Sequence, residues 1–129
     1  MTAARWAQQE LLEPYRQANI SIYAVWFNMY PEDARSKWPS ALLTDPRVVH
    51  YWDEPRTIGR LYLSNLPAMF DRRVAGTLQP ADDALWDAFF VYGPGDRWQE
   101  PVPLPASWGY PIMVTRDELL RQAVALVGR

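Results

Sequence analysis

The chain has no cysteine. That excludes disulfides, thiolate metal sites and dithiol redox chemistry within the sequence as it stands. Histidine occurs once, at position 50, and one imidazole with scattered carboxylates makes a poor ligand set, so no metal or other cofactor is expected. No apolar run approaches the roughly 20 residues of a membrane span. The opening residues MTAARWAQQE hold no apolar signal core, so a cytoplasmic location away from membranes is expected. The formal net charge of −2 gives no general attraction to nucleic acid, and none is expected as a partner. Lysine also occurs once, at position 37; the dominance of arginine reads as coding bias. There is no internal repeat, no G-x-S-x-G elbow for a serine nucleophile, and no phosphate loop, because Gly93-Pro94-Gly95 lacks the following Lys and Ser/Thr.

What is present is a globular composition. At 129 residues and 49% hydrophobic, the chain is read as one α/β domain over 1–129, with seven Trp and seven Tyr supplying much of the core. Ile20 to Met29 reads ISIYAVWFNM, uncharged and rich in β-branched and aromatic types, and predicts a central strand buried on both faces. Ile20, Ile22, Ala24 and Trp26 share one side of it; Tyr23, Val25, Phe27 and Met29 share the other.

Around that strand, Thr2 to about Arg16 predicts a helix with Ala3, Trp6, Ala7, Leu11 and Tyr15 on one face, ended or kinked by Pro14. Pro31 to about Leu43 predicts a short helical insertion, and Arg47 to Trp52 a short strand. Asp53 or Glu54 is placed to cap a helix holding Pro55 in its first turn, carrying Ile58, Leu61, Tyr62 and Leu66 inward and ending before Pro67. Gly59 inside that helix implies close packing on a neighbour. Residues 68 to 83 give no clear pattern. Leu85 to Tyr92 predicts a second strand, and Arg97-Trp98-Gln99 the start of a return strand after a Gly-Pro-Gly turn. Pro101, Pro103 and Pro105 favour an extended, edge-like path. Thr115-Arg116-Asp117-Glu118 is a capping box opening a last helix that stops near Gly128.

Candidate chemistry is sparse. His50 beside Asp53 could form a base oriented by a carboxylate, although a strand-end histidine making local hydrogen bonds is the simpler reading. Arg56/Arg60 and Arg72-Arg73 read as a solvated face. The aromatic residues Tyr30, Trp38, Tyr51, Trp52, Trp98, Trp108 and Tyr110 sit at strand ends or in proline-rich loops. Trp26, Trp52, Trp98 and Trp108 are the binding candidates, since exposed Trp anchors partners.

The order of elements, with Val25-Trp26, Asp33-Ala34-Arg35, the stretch Asp45 to Asp53 and Leu85 to Gly93, resembles a group of bacterial thioredoxin-like proteins over nearly the whole chain. The resemblance implies a mixed central sheet flanked by helices, here without the first strand and without Cys-x-x-Cys. The proline that thioredoxins place before the strand at 85–92 has no counterpart, Pro80 lying five residues too early. Redox activity is therefore not expected of this chain. A non-catalytic binding or self-association module is expected, docking a protein partner or a second copy through an exposed sheet edge. The alternative is a thiol-disulfide oxidoreductase or peroxiredoxin-like protein whose active-site segment lies upstream of Met1.

Overall fold

Thr2 opens the first helix by accepting the N–H of Arg5 on its hydroxyl at 3.2 Å, the ordinary device for satisfying a first-turn donor. The computed structural model describes residues 2–27, 40–69, 84–97 and 103–127. The chain divides into two units, Met1–Ile58 and Gly59–Arg129. Among the described residues the architecture is mixed α/β, with three α-helices and two small sheets.

In the first unit, α1 (Ala3–Trp6) runs on into a π-helical segment (Ala7–Leu12) and a 3-10 turn (Glu13–Tyr15). The wider pitch of the π segment changes which side chains share a face. Trp6 and Leu11, five apart, are both buried, and Leu12, outside the face expected from α periodicity, is fully enclosed. The expected break at Pro14 falls within the 3-10 turn, where its missing N–H is least costly.

β1 (Ile22–Trp26) pairs in parallel with β2 (Val48–Trp52), in the register Ile22↔Val48 to Trp26↔Trp52. The expectation of a central strand buried on both faces is corrected here. β1 has β2 as its one strand neighbour among the described residues, and its alternate side chains stay exposed. The uninterrupted apolar run signals a lack of charge rather than two-sided cover, and tyrosine tolerates the wet side because its hydroxyl is polar. Asp53 does cap the next helix, but that helix, α2 (Thr57–Met69), begins after Pro55. The Asp53 Oδ1 accepts from Thr57 N at 2.9 Å and Oδ2 from Ile58 N at 2.7 Å. α2 continues through Pro67 instead of ending before it. Proline there removes one N–H from the helical ladder. Of the predicted insertion over 31–43, residues 31–39 lie outside the described residues, and Ser40–Leu42 form a 3-10 turn. Residues 70–83 also lie outside them.

In the second unit, Gly59 meets Leu85 as its isolated position in α2 implies. A Cβ there would stand 2.8 Å from the Leu85 carbonyl oxygen, while the Leu85 N–H donates to the Gly59 carbonyl at 2.9 Å. The strand expected over 85–92 contracts to β3 (Phe89–Val91), because Asp87 turns the chain with a φ of 53°. Among the described residues its partner is β4 (Ser107–Gly109), antiparallel and beyond the prolines. Arg97 carries no strand, and 98–99 lie outside the described residues. The core joins Tyr62, Leu85, Phe89, Val91, Trp108 and Tyr110. Phe90 lies between the Tyr62 ring at 4.1 Å and the Trp108 ring at 6.0 Å. α3 (Arg116–Val127) packs on both strands. The capping box does not form: the Thr115 hydroxyl donates backward to the Pro111 carbonyl at 2.8 Å, and Glu118 bonds Arg121 and Gln122. Thr115 is buried, so its hydroxyl takes the carbonyl within reach.

Candidate functional site

The two faces of the β1–β2 ribbon differ in kind. Ile22, Ala24, Trp26, Val48, His50 and Trp52 are turned to the half-buried side. Tyr23, Val25, Val49 and Tyr51 form the other, with exposures of 65%, 37%, 43% and 52%. The Tyr23 and Tyr51 rings stack across the strands with centroids 6.4 Å apart. A contiguous aromatic and β-branched surface is the kind of patch that marks an interaction site on a protein.

Among the described residues no strand lies along the other edge of β1. The ladder begins where Ile22 N–H donates to Arg47 O at 3.1 Å and ends where Asp53 N–H donates to Trp26 O at 2.6 Å. Along a parallel strand, alternate residues send both backbone groups to the same neighbour. Ile22, Ala24 and Trp26 therefore face β2, and Tyr23 and Val25 present N–H and C=O on the opposite edge. Among the described residues nothing bonds to those four groups.

The sequence-derived candidates fall differently. His50 lies on the half-buried face, where Trp26 Nε1–H donates to Nδ1 at 2.9 Å and Nε2 lies 3.0 Å from the Leu43 carbonyl. An indole can only donate and a carbonyl only accept, so the proton sits on Nε2. Asp53 has both oxygens on the first N–H groups of α2, and no hydrogen bond joins it to His50. The two are thus engaged as a strand-to-strand tie and a helix cap. Trp26 and Trp52 are register partners on the half-buried face. Trp108 is 1% exposed in the core of the second unit. Trp98, Tyr30 and Trp38 lie outside the described residues. Among the described residues no cluster of three metal-ligating side chains occurs, and no helix is long and apolar enough to cross a membrane. A shallow groove of about 240 Å³ beside Gln8, Glu13, Arg16, Thr44, Asp45 and Pro46 has its central groups bonded internally, the Gln8 Oε1 accepting from Thr44 N and Asp45 N.

Sequence reasoning missed Tyr23, Val25 and Val49. The available signal was that the Ile20–Met29 stretch carries apolar side chains on both faces, a pattern that predicts two-sided burial. It also missed Arg47, whose guanidinium holds the first unit together. Hydrogen bonding from Arg47 holds the Asp45 carboxyl at about 2, below its ordinary 3.8. Because the folded value is the lower one, this stabilisation is complete above the ordinary value and disappears as pH falls from about 4 toward 2. The wild-type chain should therefore exceed Asp45→Asn in urea midpoint at pH 7, with the gap closing across that window. A gap independent of pH would show that ionisation of Asp45 does not contribute.

Comparison with protein-family models, with curated proteins and with solved structures finds no match.

Proposed function

We propose that this chain is a cysteine-free, thioredoxin-like binding or self-association module that takes an extended polypeptide strand along the open edge of β1. The thioredoxin-like part rests on element order: a helix, a parallel strand pair, a helix, an antiparallel pair and a closing helix. The binding part rests on one observation. Tyr23 and Val25 combine unpaired outward backbone groups with exposed apolar side chains, so an added strand would gain both ladder hydrogen bonds and side-chain contacts. Catalysis has no comparable support, since His50 and Asp53 are both engaged in holding the fold.

Selection from a displayed library of linear peptides tests the reading. Binders should be rich in β-branched and aromatic residues and should shift the amide resonances of Tyr23 and Val25. Val25→Pro removes an outward N–H while sparing every bond to β2, so it should weaken those binders about tenfold or more. Binders that map elsewhere, or that ignore Val25→Pro in a folded protein, would overturn it.

A further inference from the structure

The edge of β1 is complementary to itself, and from this we infer that its occupant is a second copy of the chain, joined antiparallel, β1 to β1, about a twofold axis through Ala24. The inference rests on the strand-addition reading and names its partner. Ala24 is the midpoint of Ile22–Trp26, and its own backbone groups face β2. In an antiparallel pairing centred there, Tyr23 stands opposite Val25 of the second copy, and Val25 opposite its Tyr23. These are the residues whose N–H and C=O point outward, so each pair exchanges both bonds and every free group on the edge is satisfied.

The side chains agree with that register. Tyr opposite Val is an aromatic and β-branched pair, a favourable combination across antiparallel strands. With Tyr23 beside Val49 and Val25 beside Tyr51 within each copy, the exposed face becomes continuous rows of alternating Val and Tyr across a sheet ordered β2–β1–β1–β2. At the axis, alanine meets alanine in a non-hydrogen-bonded pair with Cα atoms about 4.5 Å apart, a spacing at which a small side chain is an advantage.

Charge raises no obstacle. Neither Ile22–Trp26 nor Val48–Trp52 contains Asp, Glu, Lys or Arg, so no like charges are brought together at the seam. Edge strands that must stay single are commonly guarded by lysine, proline or inward charge, and β1 carries none of these. A chain with net charge −2 also adds little long-range repulsion between copies.

The absence of cysteine makes the geometry directly testable, since Ala24→Cys carries the single thiol of the chain. Under mild oxidation it should form a covalent dimer, because the paired Cα atoms lie within disulfide range. Tyr23→Cys should not, its two copies being diagonal neighbours about 7–8 Å apart. Light scattering on the wild-type chain at micromolar concentration should give twice the 15.0 kDa chain mass. Val25→Pro should raise the concentration of half-dissociation at least about tenfold. Val25→Lys, which keeps the backbone amide, should do likewise if the proline variant fails to fold by circular dichroism. A monomeric mass with no Ala24→Cys dimer would overturn the second copy as occupant while leaving the strand-addition reading to the peptide selection. Equal cross-linking of Ala24→Cys and Tyr23→Cys would overturn the register.

Discussion

Replacing Arg47 with methionine should destabilise the protein by about 3–5 kcal/mol, on the order of a 10 °C loss in Tm. The guanidinium has five N–H donors, and each has a partner. Nε donates to Asp45 Oδ1 at 2.9 Å and Nη2 to Asp45 Oδ2 at 2.8 Å. Nη2 also reaches the Leu12 carbonyl at 3.0 Å, and Nη1 reaches those of Tyr15 and Ala18 at 2.8 and 2.9 Å. The three carbonyls belong to the end of the first helical run and the turn after it, where helices leave acceptors without intrahelical donors. The side chain is only 18% exposed, so water replaces these bonds poorly. Methionine keeps an unbranched apolar stem like that of arginine but has no donor, and leaves the carbonyls and the Asp45 carboxylate unsatisfied together. Arg47→Lys should recover less than half of the loss, because one ammonium cannot span a carboxylate and three carbonyls. Asp45→Asn should couple strongly to Arg47→Met in a double-mutant cycle measured by urea unfolding. A loss below about 1 kcal/mol for Arg47→Met would mean that the helix end is held by other contacts.

That arrangement also shows where sequence reading reaches its limit. The sequence pattern located β1 and β2, and alternation assigned the residues of β1 correctly to two faces. It could not tell which face would be covered, since Tyr23, Val25, Val49 and Tyr51 are as apolar as the residues behind them. Cover depends on what else the chain places there, which is a tertiary fact. Gly59 was legible as a close approach, because a glycine inside a helical pattern has few other reasons to persist. The same local logic failed at Thr115, where the Thr-x-x-Glu spacing was right but a nearer acceptor, the Pro111 carbonyl, took the hydroxyl. The return strand expected from Arg97-Trp98-Gln99 falls mostly outside the described residues, and β4 is a pairing that the sequence pattern did not point to. The Gly93-Pro94-Gly95 turn drew attention to the residues just after it, while the described partner of β3 follows the prolines. Arg47 left almost no trace, as an acid two residues before a base is common in turns. His50 and Asp53 looked like chemistry because they are adjacent in sequence; the fold gives each a separate structural bond.

Gly109 is the other position at which a small change should have a large effect. Its place in β4 opposite Phe89 leaves no room for a side chain. An added Cβ would lie 2.5 Å from Phe89 Cε1, 2.8 Å from Cζ and 2.6 Å from the Thr115 hydroxyl oxygen. Both neighbours are buried, so neither can swing into solvent. The Thr115 hydroxyl is tied to Pro111, and the Thr115 carbonyl accepts the N–H groups of Glu118 and Leu119 that begin α3. Moving it would disturb the helix that packs on this sheet. Gly109→Ala should therefore cost about 2–3 kcal/mol through overpacking, despite the general preference of strands for alanine over glycine. Shortening the opposing ring should relieve it: in a Phe89→Leu background the same substitution should cost at least about 1 kcal/mol less, a coupling expected of residues in direct contact. Urea unfolding of the four proteins measures this. Additive losses, or an alanine variant within about 0.5 kcal/mol of wild type, would show that β4 can move away from α3 without penalty.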